Sequence, residues 1–293
     1  MTRSSPTVRL RRLSALLRLA RQELGWTASQ AAQRAGWQQS ALSRAETMRW
    51  RRPNLREIQR LLDAYGITEE AQPERREMFL SLARDSRQRG WWADYHIPDD
   101  YQTYVGLETE ASAVRNWEPV IVPGLLQTAA YARAIIRAGA PHLSDREVED
   151  RVELRLERQR HLLHGSNPLF VWALVSESAL HHLVGGPEVM IEQLEHLKAM
   201  VARPTISLQI LPFRAGAPPS TTPWSLLTFT DPLDPEVVYC ETSAGDMWVE
   251  GERVDDYKIR FEWLVGNALT VPATLRLVQA RIHDLQADET AGR

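Results

Sequence analysis

Apolar residues in the first third of the chain recur at helical spacing, in short bursts separated by glycine. Leu10, Leu13, Leu16, Leu17, Ala20 and Leu24 mark a helix over 8–24, and Gly25 ends it. Thr27, with Gln30 three residues on, makes a capping-box pattern that opens a second helix. That helix turns Ala31, Ala32 and Ala35 inward and stops at Gly36. A third helix over 39–46 has Ala41, Leu42 and Ala45 as its buried side, and such small inner residues let two helices cross closely. A loop over 49–53 leads to a fourth helix with Leu55, Ile58, Leu61, Leu62 and Tyr65 inward, closed by Gly66. Pro73 suits the first turn of a fifth, with Met78, Phe79 and Leu82 facing in.

The pattern then changes. The aromatic-rich stretch 84–104, with Trp91, Trp92, Tyr95, Tyr101 and Tyr104, reads as a linker or docking segment whose rings pack rather than bind a ligand. Beyond it, apolar spacing predicts helices interrupted by Val-Ile-Val-Pro-Gly at 120–124. Residues 145–164 form a charged helix in which Glu153 and Glu157 lie at pairing distance from Arg151, Arg155 and Arg158. Short apolar runs at 169–175, 205–211, 224–230 and 236–241 read as strands, and 187–201, 252–267 and 272–286 as helices. The expected fold class is a mainly α N-terminal helix-turn-helix domain plus an α+β C-terminal domain with a small sheet flanked by helices. The expected boundaries are 1–70 for the first domain, 71–104 for a connecting helix and aromatic linker, and 105–287 for the second domain.

Charge sharpens this division. The 293 residues carry a formal net charge of −3, yet residues 1–90 hold 18 Lys and Arg against 9 Asp and Glu. The remainder holds 17 against 29. A basic module on an acidic body points to a polyanion partner for the first third. No apolar run approaches the ~18–20 residues of a membrane span, and the basic N-terminus lacks the apolar core and cleavage site of a signal peptide. Cys240 is the single cysteine, so an intrachain disulfide or a cysteine-based zinc site is excluded. A reducing cytoplasm is the expected location, with no membrane partner.

The third helix then acquires a role. Its apolar side is inward, and it presents Gln38, Gln39, Ser40, Ser43 and Arg44 outward. Glutamine suits an adenine edge, arginine a guanine edge, and serine either a base or a phosphate. Arg49, Arg51 and Arg52 in the following loop suit phosphate oxygens, which fix register without reading sequence.

The segments LRLARQELGWT, AAQRAG, WQQSALSRAE and RRPNLREIQRLLDAYGI resemble, in order and spacing, the Cro/repressor-type helix-turn-helix of the Xre family. The resemblance implies that Thr27 and Gln38 to Arg44 face double-stranded DNA, that the protein binds as a homodimer, and that Glu46 pairs with Arg18. Three positions depart from the family pattern. Ala28 stands where a phosphate-binding glutamine is usual, Gln38 where serine or threonine caps the recognition helix, and Ala45 where a large aliphatic residue is preferred. Farther on, Gly106 to Glu108, Glu118–Pro119 and Val122 to Thr128 closely resemble a domain that follows the Xre module in many actinomycete regulators. That resemblance implies a regulator with a small acidic protein partner or a small-molecule effector.

Groupings that would make the second domain an enzyme are missing from the sequence. Glu177, Ser178, His181 and His182 cluster, but without the spacing of a zinc protease, a nucleophile elbow or a phosphate loop. The pair of histidines reads as a capping or solvated feature. Glu241, at the end of an apolar strand, suits either a cationic ligand or an arginine partner, and the arginine pair is the expectation. Cys240 reads as a small buried apolar residue. The sequence therefore points to a sequence-specific DNA-binding transcription regulator with no catalytic residue, metal or cofactor. The C-terminal domain would sense a ligand or partner and support dimerisation. A DNA-targeted enzyme and an antitoxin-like protein-binding regulator are the alternatives.

Overall fold

A computed structural model describes residues 5–291, apart from 51, 96, 165, 166, 233, 243 and 244. The chain divides into two compact units, Arg3–Asp94 and Tyr95–Arg293.

The first unit consists of α1 (Pro6–Glu23), α2 (Ala28–Ala35), α3 (Gln39–Glu46), α4 (Leu55–Ala64) and α5 (Pro73–Asp85). Its punctuation follows the sequence signals. Thr27 Oγ1 accepts the Gln30 N–H while the Gln30 side chain accepts the Thr27 N–H, so both halves of the capping box form. Gly36 closes α2 at φ 67°, a left-handed conformation that costs glycine little. Leu13 and Leu17 of α1, Leu42 of α3, Ile58, Leu61 and Leu62 of α4 and Phe79 of α5 share one core, and the alanines of α2 let α3 and α4 approach it. Two expected details differ. Met78 is exposed, and Leu80 and Ala83 are buried beside Phe79 instead. Glu46 pairs with Arg21, at 2.6 and 2.8 Å, and not with Arg18. Helix geometry explains this: Arg21 lies four residues after the buried Leu17, only ~40° around the helix, whereas Arg18 lies ~100° away and is exposed.

The second unit contains α6 (Asp99–Glu110), β1 (Ala113–Glu118), α7 (Ala129–Gly139), α8 (Asp145–Leu163), β2 (Phe170–Ser176), α9 (Pro187–Val201), β3 (Ile206–Leu211), β4 (Trp224–Thr228), β5 (Val237–Cys240), β6 (Met247–Val249), α10 (Arg253–Asn267) and α11 (Val271–Ala291). The strands form one mixed sheet in the order β3-β2-β1-β4-β5-β6. β1, β2 and β3 run parallel, linked by helical crossovers, and β4, β5 and β6 extend the sheet antiparallel from β1. The α+β class with a helix-flanked sheet is therefore observed. β1, the central strand, and the short β6 were not expected: 104–136 read as helices interrupted at 120–124.

Strand alternation gives the sheet two different faces between β1 and β5. Trp117, Trp224, Leu226, Val238 and Cys240 point to one side and pack against Phe261 and Leu264 of α10. Asn116, Ser225 and Tyr239 are register partners on the other side, where the Tyr104 ring of α6 stacks on Tyr239 at 4.3 Å. One face thus holds an apolar core, and the other carries the polar groups described below. Cys240 is buried, as expected; burial pushes its thiol up, opposed by a contact with the Tyr257 hydroxyl at 3.5 Å.

Candidate functional site

The helix expected to read DNA is built by the turn before it and the loop after it. α2 stops at Gly36, and α3 starts three residues later. Leu42 and Ala45 of α3 are buried and Ala41 half-buried, which leaves Gln39, Ser40, Ser43 and Arg44 exposed on a continuous edge. Gln38 is the N-cap residue and is exposed, but its side chain makes no capping bond, so the departure from serine or threonine leaves the first turn of α3 without a side-chain cap. At the other end, Met48 adopts a left-handed φ of 59°, and the Arg49 N–H donates to the Arg44 carbonyl at 2.8 Å. Trp50 Nε1 donates to Ser14 Oγ at 3.2 Å, and its ring meets Trp37 edge-on, which ties this loop to α1. Arg49 and Arg52 are exposed on the tied loop, and Arg51 lies outside the described residues. Arg44, Arg49 and Arg52 have no ion pair among the described residues. Thr27 is exposed, with its hydroxyl held by the capping box. Trp37, in the turn before α3, and Trp50, in the basic loop after it, pack on each other, and the sequence marked them only as apolar.

The second unit holds a cavity of about 520 Å³ on the polar face of its sheet. Asn116 and Glu118 of β1, Ser225 of β4, and Tyr239 and Glu241 at the end of β5 line its floor. α6 supplies Tyr101, Tyr104 and Glu108, and α8 supplies Arg151, Arg155 and Arg158. Glu108 and Arg158 form a buried bidentate pair, with Nε to Oε2 at 2.7 Å and Nη2 to Oε1 at 3.2 Å. The Tyr104 hydroxyl donates to Glu108 Oε1 at 2.8 Å, and the Tyr101 hydroxyl accepts from Arg158 Nη1. Burial opposes the Arg158 charge, but Glu108 and the two tyrosines outweigh it and hold the guanidinium above its ordinary value.

The segment 122–128 forms the neighbouring wall by backbone and side-chain bonds. Gln127 Nε2 donates to the Val122 carbonyl at 2.7 Å, and Gln127 Oε1 accepts from Arg155 Nη1 at 2.6 Å. Gln159 Nε2 donates to the carbonyls of Gly124 and Gln127. Gln193 brackets the same turn, donating to the Leu126 carbonyl and accepting the Thr128 N–H, each at 2.7 Å. Thr128 caps α7. The Arg155 and Arg158 side chains pass Gly124 at ordinary contact distance, 3.7–3.8 Å from where a Cβ would stand.

A family model described as a helix-turn-helix domain matches residues 12–76, and one described as a domain of unknown function, DUF5753, matches residues 101–280. The chain belongs to the DUF5753 family. No curated protein and no solved structure matches it. The helix-turn-helix match supports a DNA-binding regulator, and no described helix is long and apolar enough to cross a membrane.

Arg155 and Arg158 do not make the surface pairs expected along α8; they turn inward to Gln127 and Glu108. Glu157 pairs instead with Arg160 and His161. Glu241 has no arginine partner among the described residues; it is exposed at the cavity. In the 177–182 cluster, Glu177 accepts the Phe213 N–H at 2.7 Å, and His182 Nδ1 lies 2.8 Å from the Ser178 carbonyl. Glu108 could have been found from its place in an apolar stretch, and Arg158 from its spacing four residues from both Leu154 and Leu162, which are buried.

Glu118 is the cavity group whose titration matters most. Burial pushes it up to about 8 from 4.5, Glu241 adds to the rise, and Arg155 opposes it. A carboxyl raised on folding binds more protons folded than unfolded between those two values, so its contribution to stability falls as pH climbs through that window. Glu118→Gln is therefore expected to melt higher than the unsubstituted protein at pH 9 and close to it at pH 4. Thermal melts across pH check this, and equal differences at both ends would contradict it.

Proposed function

We propose that this protein is a sequence-specific transcription regulator of the Xre type, which places α3 in the DNA major groove. Gln39, Ser40, Ser43 and Arg44 read base edges in this reading, with Gln38 at the groove entrance. Thr27, Arg49, Arg51 and Arg52 hold the phosphates on either side. The observation that supports it most is the continuous exposed edge of α3, bordered by arginines that have no partner among the described residues. An eight-residue helix is only ~12 Å long and spans few base pairs. Two copies of the chain, bound as a homodimer to half-sites ~34–36 Å apart, supply the missing selectivity. The DUF5753 unit senses an effector and supports dimerisation.

Replacing phosphate contacts affects all sequences alike. Arg49→Ala and Arg52→Ala are each expected to weaken binding to specific and random duplexes by the same factor, and to reduce the slope of log affinity against log salt by about 1. Affinity titrations at several salt concentrations read both. A loss confined to the preferred site, with the slope unchanged, would move these arginines from the phosphates to the bases.

A further inference from the structure

We infer that the cavity of the DUF5753 unit is a binding site for an organic cation, an amine or guanidine with an apolar body, held between the carboxylates of Glu118 and Glu241 beside the Tyr104–Tyr239 aromatic wall. This deepens the proposed sensing role and rests on it only for the consequence at DNA.

The charges that line the cavity separate into satisfied and unsatisfied ones. Glu108 and Arg158 neutralise each other in a buried bidentate pair. Arg155 Nη1 donates to the neutral Gln127, with its Nε unpartnered, and Arg151 makes no ion pair among the described residues, so two uncommitted arginines face four carboxylates. Glu118, Glu241, Asp100 and Asp246 remain without a cationic partner among the described residues. Glu241 disfavours the ionised form of Glu118 more than Arg155 favours it; burial raises Asp246, a hydrogen bond with Tyr239 opposes the rise, and Asp100 adds a smaller one. Carboxylates that repel across a cavity gain most when a positive charge enters between them.

The aromatic groups match the same ligand. Tyr104 and Tyr239 are stacked at 4.3 Å, and Trp248 lies 4.9 Å beyond Tyr239. The Arg158 guanidinium already lies over the other side of the Tyr104 ring, at 5.5 Å, so the stack serves the ligand as a rigid aromatic wall for its apolar body, and the carboxylates hold its charge. Volume and chemistry separate an organic ion from a metal. A space of about 520 Å³ lies in the range of small-molecule sites, its walls include Ile121, Leu125, Ile135 and Leu154, and no group of three metal-binding side chains occurs among the described residues. One further lining residue has an unused polar atom: Asn116 is 6% exposed and its Oδ1 has no partner.

The test uses the full chain and three probes of one shape: 4-phenylbutylamine, 4-phenylbutanol and 4-phenylbutyrate. Calorimetry at pH 8.5 should show the amine binding at least ~10-fold more tightly than the alcohol or the acid. Glu241→Gln, at an exposed position that leaves the fold undisturbed, and Glu118→Gln should each weaken the amine by a similar factor and leave the alcohol unchanged. The acid binding as well as the amine would overturn the assignment and make the cavity an anion site served by Arg151 and Arg155. So would failure of the amine to bind, or amine affinity unchanged in both variants. Operator affinity is then measured with and without the amine. Binding without an effect on DNA would keep the cation site and remove the sensing role.

Discussion

Arg158→Ala is expected to destabilise the DUF5753 unit by about 3–5 kcal/mol, because it removes one partner of a buried ion pair. The side chains of Arg158 and Glu108 are 5% and 0% exposed, and the pair is bidentate. Without the guanidinium, the Glu108 carboxylate stays in the interior with only the Tyr104 hydroxyl to donate to it. It must then either carry an uncompensated charge or take up a proton. The position of the pair spreads the damage: α6 packs on α8 through it, and Tyr101 and Tyr104 are both held by it. Hydrogen exchange of the β1 and β4 amides under urea isolates this unit from the first. Protection there should fall steeply in Arg158→Ala. The double replacement Arg158→Met with Glu108→Leu should cost less than either single loss, since it leaves no orphaned charge. A single replacement that costs under ~1 kcal/mol would mean that solvent or another group compensates the carboxylate.

The second large effect concerns recognition. Gln39→Ala and Arg44→Ala are each expected to cost about 1–3 kcal/mol at the preferred site and little on random DNA. Both side chains are exposed, so the free protein should melt as before. The distinction from Arg49 and Arg52 is qualitative: base-reading residues change the ranking of sequences, whereas phosphate-binding residues move all sequences together. In the proposed dimer each replacement acts at two half-sites, so the loss per complex approaches twice the single-site figure. Competition between specific and random duplexes at fixed salt measures it. Unchanged site preference in both variants would remove α3 from the groove.

Much of the first unit was legible because local signals agreed. The glycines at 25, 36 and 66 all take positive φ, the capping box forms at Thr27, and α3 has the expected limits. The ion pair of Glu46 was misplaced by one turn because the family pattern, rather than the buried stripe of α1, had chosen its partner. In the second unit the helices and the more apolar strands were legible, and β1 was not. Its sequence, Ala-Val-Arg-Asn-Trp-Glu, carries polar residues that face the cavity or cover Phe261, so it lacks the apolar alternation of an ordinary half-buried strand. β6 is three residues long, too short to leave a pattern. The cavity itself was out of reach: Glu118 and Glu241, 123 positions apart, meet only because β4 and β5 pair onto β1, and such long-range register is not written in any local stretch.

Whether α3 reads DNA sequence is decided by selection of genomic fragments with the purified full-length protein, followed by sequencing. The expected result is a shared motif with two-fold symmetry, its half-sites one helical turn apart, that disappears when Gln39 and Arg44 are both alanine. A motif that survives this double replacement, or the enrichment of no motif by the unsubstituted protein, would contradict a reading role for α3.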